Sequence, residues 1–437
     1  MPSIHNFNWI SRLSNELLLL IFEYDLSPAT LAECALCCKR WNRLAPSVLY
    51  KHVALTSSKK ISRWVAAAPS SLDSEIETLT ICINNVSNTN DVAPTVEQLQ
   101  LDLDQVSARL RQMAKLKSFS ISSLETPSIG SRISTVSIVK LLHNIPETCS
   151  SLELVVKPRA LIMSPHEQNT HLCVFIRRLI PQLQFLRLSL PYLCPESFGY
   201  VHNQSSANMT EFTPIKTPKL RDCIVILASP SGGGGVARFS GPCSPDASLF
   251  GVKAFVECLL VLVSSGQAPL LRRLWVIDAL SKSEMNDNAS YEAFVRRNVL
   301  AQISHTFPVN VIMPPRMAHG FLIRMPAEEN GEDLLTTRQD AASIVEGHAW
   351  MAATNGARLP AMLMANYQLP RQSCNVQARA EWSANNKHST QLWVNENKTG
   401  VRLLDGEMGA LLEDRPAVFR IPEGWRQDQL GFLERIS

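Results

Sequence analysis

Charged residues make up only 19% of the 437-residue chain, and 42 Lys and Arg nearly cancel 39 Asp and Glu to leave a net charge of +3. With 45% hydrophobic residues and so little net charge, the chain is not of disordered composition. It also has little surplus of positive charge to neutralise phosphates, which argues against a dedicated nucleic-acid binder. Gly (18) and Pro (26) are at ordinary levels, so collagen-like and linker-like chains are excluded. The longest dense apolar runs, Leu17–Phe22 and Phe255–Val263, fall short of the roughly 18 residues that span a bilayer. Met1–Trp9 lacks the basic and apolar stretches of a secretory leader. The 11 cysteines are odd in number and without framework spacing, unlike a disulfide scaffold. A reducing cytoplasmic or nuclear compartment is therefore expected. The Asn-x-Ser/Thr matches at Asn85, Asn203, Asn208, Asn288 and Asn397 are expected to stay unmodified there.

Signatures of chemistry are scarce as well. There is no Gly-x-Ser-x-Gly elbow and no His-Glu-x-x-His pair. The run Gly232–Gly235 lacks the Gly-Lys-Ser/Thr ending of a phosphate loop and reads as part of a long loop, 229–249. Cys34-x-x-Cys37-Cys38 has zinc-like spacing, but no second pair follows and His52 alone does not complete four ligands. These thiols are expected to act as small apolar groups in a helical core, with no metal site and no cofactor. Asp102 and Asp104 diverge on a helix and are expected on a solvated face. Arg177, Arg178 and Arg187, or Arg272 and Arg273, are expected as ordinary surface. No enzyme activity is expected.

The first fifty residues carry more information. Leu13–Tyr24 reads as a short helix with Ser14 as N-cap and Glu16 in the first turn, where the dipole favours it. Leu13 and Leu18 stand at staple positions, and the arrangement repeats with Ser27, Pro28, Leu26 and Leu31. Apolar residues at 31, 34, 35, 38, 41 and 45 continue with helical spacing until Pro46, which is expected to stop the run. Residues 17–22 are all apolar, so the first helix is apolar all round and must be covered all round. A unit of this size has too little surface of its own for that. The cover is either the rest of this chain or another protein.

Leu13-Ser-Asn-Glu-Leu17, Ile21-Phe22, Leu31 and Cys38-Lys-Arg-Trp41-Asn-Arg-Leu-Ala45 together resemble the F-box over residues 9–50. Ser14 stands where the F-box usually has Pro, and Cys37 where it has Val. The following Val48–Leu55 is similar to the strand that often follows the motif in fungal F-box proteins. The resemblance implies docking on a Skp-type adaptor that links to a cullin–RING ubiquitin ligase. The contact positions it implies are Leu13, Leu17, Ile21, Phe22, Leu26 and Leu31, with Trp41 packed inside or reaching the interface. The other reading is that all of these form the ordinary core of one helical subdomain.

Beyond residue 55 the pattern changes. Lys59–Ala68 reads as an amphipathic helix. Short apolar runs then recur at 76–81, 116–121, 152–156, 183–190, 220–226 and 271–277, each of strand length. Centred on Leu79, Phe119, Leu154, Leu186, Cys223 and Leu274, they return every 32–51 residues. Helical segments are expected near 96–114, 135–145, 171–180 and 252–264. A strand–helix unit at this period suggests an α/β solenoid over 51–325 in which each unit covers the next. It is similar to an irregular leucine-rich-repeat array, although the usual Asn position is absent. An open, mostly parallel α/β sheet of another topology is the alternative. Either one requires parallel neighbours, because helical crossovers join the strands. Residues 326–340 read as a polar connection and 340–353 as a helix. Gln391–Val394 and Gly400–Leu404 read as a hairpin, which makes 340–437 a small α+β cap or subdomain.

The expected function is a non-catalytic substrate-recognition subunit of a Skp–cullin–F-box ubiquitin ligase, docking the adaptor by its N-terminal helices and a target protein by the solenoid. The alternative is a non-degradative interaction scaffold with those helices packed on its own solenoid. The target is not legible in the sequence.

Overall fold

The computed structural model describes residues 12–25, 28–55, 57–83, 95–123, 133–156, 161–162, 171–190, 193–203, 210–227, 252–281, 291–308, 310–312, 322–326, 333–337, 345–346, 421 and 424–436. Three helices open the chain: α1 (Asn15–Asp25), α2 (Pro28–Cys37) and α3 (Lys39–Leu49). The helical run expected from residue 31 onward is broken at Cys38. This residue adopts extended backbone and caps α3 by accepting from the Trp41 N–H at 3.5 Å. Pro46 does not stop the helix. It lies inside α3, and its own carbonyl still accepts from Tyr50 at 2.9 Å. A proline deprives only the carbonyl four residues earlier, here that of the exposed Asn42, which solvent can serve. The strand after the motif is shorter than expected, β1 (His52–Leu55), because Val48 and Leu49 remain helical.

The rest of the described chain alternates strand and helix. In order these are α4 (Ser58–Ala67), β2 (Thr78–Ile83), α5 (Val96–Leu110), β3 (Ser118–Ser123), β4 (Ile133–Ser134), α6 (Thr135–His143), β5 (Ser151–Val156), β6 (Leu161–Ile162), α7 (Leu172–Leu179), β7 (Phe185–Ser189), β8 (Gly199–Asn203), β9 (Thr210–Pro214), β10 (Asp222–Ile226), α8 (Val252–Ser264) and β11 (Arg273–Ser281). Strands β1, β2, β3, β5, β7, β10 and β11 form one parallel sheet with strands in chain order. Their register aligns Val53, Leu79, Phe119, Leu152, Leu186, Cys223 and Leu274 in one row. The row passes through Leu152, not Leu154, two residues from the expected centre.

Strands β2, β3, β7, β10 and β11 each begin two residues after the leading apolar residue of their run, whereas β5 begins one residue before it. Ile76, Leu116, Leu183 and Leu220 are buried in the turns before the strands, each closing a turn on the carbonyl three residues back at 3.0–3.3 Å. One carbonyl per unit then accepts two successive N–H groups of the next. Lys51 O takes those of Glu77 and Thr78, Glu77 O those of Lys117 and Ser118, and Lys117 O those of Ser150 and Ser151. Ser150, Gln184 and Arg221 carry the pattern on.

Alternate strand residues face opposite sides of a sheet. One side is apolar and joins Leu99, Leu103, Val106, Ile138, Leu141, Ile176 and Leu259 of the helices in a single continuous core. The other side carries Thr78, Thr80, Ser118, Ser120, Ser122, Glu153 and Arg187, which are also buried.

Two antiparallel strands, β12 (Tyr291–Asn298) and β13 (Ile303–Pro308), extend the sheet beyond β11. A three-stranded antiparallel sheet follows: β14 (Asn310–Ile312), β15 (Leu322–Pro326) and β16 (Asp333–Thr337). The expected polar connection over 326–340 therefore contains a strand. A terminal hairpin, β17 (Trp425–Gln427) and β18 (Leu433–Arg435), sits on the sheet edge through Gln427 Nε2 donating to Thr306 Oγ1 at 3.0 Å and through the buried Phe432. The expected loop over 229–249 and hairpin at 391–404 lie outside the described residues. Of the expected helix 340–353, only the turn Val345–Glu346 is described. Among the described residues no helix is long and apolar enough to cross a membrane.

Candidate docking face and the polar face of the sheet

Ser14 opens α1 as expected, its Oγ accepting from the Leu17 N–H at 3.3 Å. The Glu16 backbone N–H, and after it the Ser14 side chain, hold the Glu16 carboxyl below its usual range. Phe22, Leu31, Cys34 and Ala45 form a small core with Trp41, Leu44 and Val48 around it. The Phe22 and Trp41 rings meet edge to face at 5.5 Å and 80°, a geometry favoured by their quadrupoles. Arg40 ties α3 to the start of α1, donating Nε to Asn15 Oδ1 at 2.9 Å and Nη2 to the Leu13 carbonyl. Lys51 bridges Glu23 of α1 and, at 3.5 Å, Glu77 at the head of β2. Burial opposes the Lys51 charge, but the hydrogen bond to Glu23 and the two carboxylate charges outweigh it and raise its pKa.

Among the described residues, α3 covers α1 on one side only. Leu18 and Phe22 are buried, whereas Leu17 (50%), Leu20 (49%) and Ile21 (37%) are exposed. Leu36, near the end of α2, is 85% exposed. Of the residues expected to contact an adaptor, Leu17 and Ile21 thus face outward, and Leu13 and Trp41 are half-buried. Phe22 and Leu31 are interior, because their positions on α1 and α2 turn toward α3. The Leu26 side chain lies outside the described residues. Leu20 and Leu36 were not among the expected contacts. The expectation that Cys34, Cys37 and Cys38 are all core thiols holds only for Cys34, since Cys37 and Cys38 are exposed.

The polar side of the sheet holds a chain of charges. Ser120 Oγ donates to Glu153 at 2.8 Å, and Arg187 Nη1 donates to the other Glu153 oxygen at 2.8 Å. Arg187 then turns its Nε and Nη2 to Glu346 at 2.7–3.0 Å. Burial, only partly offset by Arg187, raises the Glu153 carboxyl above its usual range. Beside this cluster, Arg296 Nη1 donates to the Val345 carbonyl at 2.9 Å and stacks on the Trp275 ring at 4.5 Å. Arg297, fully buried, pairs with Asp278. Arg187 is therefore not on the surface as expected: a strand residue on this side is covered, and two carboxylates meet its charge. Asp102 departs in the same way. It is buried and accepts from Gln98 at 2.9 Å and from Ser62, because α4 packs over that side of α5.

Residues 10–56 match the F-box-like family. The chain thus carries an F-box-like domain that coincides with α1–α3 and β1. F-box domains are typically non-catalytic adaptor-binding modules, and they generally bind Skp-type adaptors. No curated protein sequence matches the chain.

Proposed function

We propose that this protein is a substrate-recognition subunit of a Skp–cullin–F-box ubiquitin ligase, acting in the cytoplasm or nucleus. The observation that carries the reading is the uncovered apolar stripe Leu17, Leu20 and Ile21 on α1 of an F-box-like domain. Three such side chains in a row favour a partner surface over solvent. In a scaffold with these helices folded back on the sheet, the same three side chains would be covered. The adaptor contacts are Leu17 and Ile21 with Leu13, Leu20 and Trp41. Phe22 and Leu31 support them from beneath.

The α/β region, from β1 to about residue 325, is a solenoid-like array that holds the target protein. Strand order in chain sequence and the repeated two-donor carbonyl support a repeating unit. Residues 340–437 act as its cap, a role supported by the hairpin contacts at Thr306 and Phe432. The mechanism is proximity: a bound target presents its lysines to a ubiquitin-charged enzyme at high effective concentration. Co-purification of the full chain with a Skp-type adaptor tests the docking step. No complex with the wild-type chain, or an undiminished complex with a Leu17→Asp/Ile21→Asp variant, would sink it. Affinity capture with residues 1–55 removed tests the second step: targets should persist while the ligase is lost.

A further inference from the structure

Three potential metal ligands converge where the chain enters α7 and where it leaves β7. His171, Cys173 and Cys194 place their donor atoms within 4.8 Å of one another. His171 Nε2 lies 3.1 Å from Cys194 Sγ, and the Cys194 backbone N–H donates to Cys173 Sγ at 3.3 Å. Both sulfurs are buried, whereas the His171 side chain keeps 18% exposure and opens a path from solvent. On its other side, His171 Nδ1 meets a Glu196 oxygen at 3.1 Å. The Glu196 backbone is held in turn by Arg177 at 3.2 Å.

The geometry points to a zinc site made by His171, Cys173 and Cys194, with a water entering on the exposed His171 side as fourth ligand and Glu196 as the positioning residue. Zinc bonds of 2.0–2.1 Å to nitrogen and 2.3 Å to sulfur put tetrahedral donors about 3.5–3.8 Å apart. A cluster no wider than 4.8 Å reaches that spacing with small side-chain shifts. Zinc is the fitting ion because two thiolates and an imidazole are soft and borderline donors. Binding releases the two thiol protons, and the two thiolate charges then balance the dication in a buried place. Glu196 on Nδ1 fixes the tautomer that leaves Nε2 free to ligate, as carboxylates behind metal-bound histidines do. Cys258 of α8 borders the cluster; burial, then the charges of Glu257 and Cys194, push its thiol up to about 11. The ion would staple the start of α7 to the turn that leads into the β8–β9 hairpin, adding to the hydrogen bonds from Arg177 to the Glu196 and Gly199 carbonyls.

The test is zinc content of the full chain, purified from zinc-supplemented medium, desalted and measured by mass spectrometry. Wild type should carry about one equivalent, Cys37→Ser should keep it, and Cys173→Ser/Cys194→Ser should fall to background. Glu196→Gln should weaken zinc affinity about 10- to 100-fold with the fold intact by circular dichroism. Cobalt loaded into the wild-type chain should show a thiolate-to-metal charge-transfer band, which keeps the test independent of variant folding. Wild-type chain without zinc, a Cys173–Cys194 disulfide in the native protein, or zinc retained by the double variant would each overturn the site.

Discussion

Arg187 and Glu346 join through a two-pronged ion pair across 159 residues of sequence, with both side chains buried. The pair fastens the Val345–Glu346 turn to the polar side of the sheet, where Arg187 also serves Glu153 at 2.8 Å. Removing one member of a buried pair leaves an uncompensated charge and costs about 3–5 kcal/mol. Arg187→Met leaves two facing carboxylates and is expected to cost at the upper end of that range, against less for Glu346→Gln. Urea midpoints of the two variants check the order, and equal stability for both would refute it.

One guanidinium cannot fully neutralise two buried carboxylates, and burial raises the Glu153 carboxyl above its ordinary value. With the folded pKa above the unfolded one, the folded state holds more protons between the two values. Stability from this group is therefore present at low pH and declines as pH rises from about 4.5 through the folded pKa. Glu153→Gln should flatten that decline in a pH series of urea midpoints. A slope unchanged from wild type would place the titration elsewhere.

The N-terminal face separates binding from folding. Leu17 and Ile21 are exposed, so Leu17→Asp/Ile21→Asp should change stability by no more than about 0.5 kcal/mol per site while abolishing adaptor capture. Phe22→Ala instead removes a ring from the α1–α3 core and should cost about 3–5 kcal/mol, losing capture only as the domain unfolds. Far-ultraviolet circular dichroism beside the pull-down distinguishes the two.

Local pattern made the helices and the parallel strands legible. Ser14, the amphipathic 58–67 helix and the six apolar strand runs all carry periods that one segment alone displays. The all-round apolar Leu17–Phe22 run likewise announced a helix needing outside cover. Which of its residues face out was not legible, because that depends on where Trp41 of α3 lies against Phe22. The same limit hid Arg187, Asp102 and Arg297, whose partners are distant in sequence: charged side chains look solvated until Glu346, Ser62 and Asp278 arrive beside them. Strand β12 was not legible because Arg296-Arg297 interrupts an apolar run, and the groups that meet these charges, Asp278, the Val345 carbonyl and the Trp275 ring, are not adjacent in sequence. His171, Cys173 and Cys194 show no metal-ligand spacing, since the third comes from a different element.

Arg109 links the first two units of the sheet region. Its Nε donates to both oxygens of the buried Asp73 at 2.9–3.1 Å, and its guanidinium lies 3.8 Å over the Trp64 ring. A lysine supplies neither the fork nor the flat stack. Arg109→Lys is thus expected to lose most of what Arg109→Ala loses, about 2 kcal/mol or more, read as a fall in the urea midpoint. A lysine variant as stable as wild type would show that charge alone suffices.

Gly431 decides whether the terminal hairpin can seat on the sheet. Its φ of +79° is one that side-chain-bearing residues rarely adopt. A Cβ there would stand 2.8 Å from Ser304 Oγ and 2.8 Å from Val295 Cγ1, closer than packed atoms tolerate. Gly431→Ala therefore meets both backbone strain and overpacking, and is expected to cost about 1–3 kcal/mol. Because Phe432 follows directly and is buried with the main core, the hairpin should lift rather than deform in place. Proteolysis near residue 424 should then accelerate in the variant while the α1–α3 domain keeps its adaptor binding. Gly424 has the same positive φ of +79° but nothing within 4 Å of a Cβ, so Gly424→Ala bears the strain alone. A cleavage rate for Gly431→Ala no faster than for Gly424→Ala would mean that contact with β12 and β13 does not hold the hairpin.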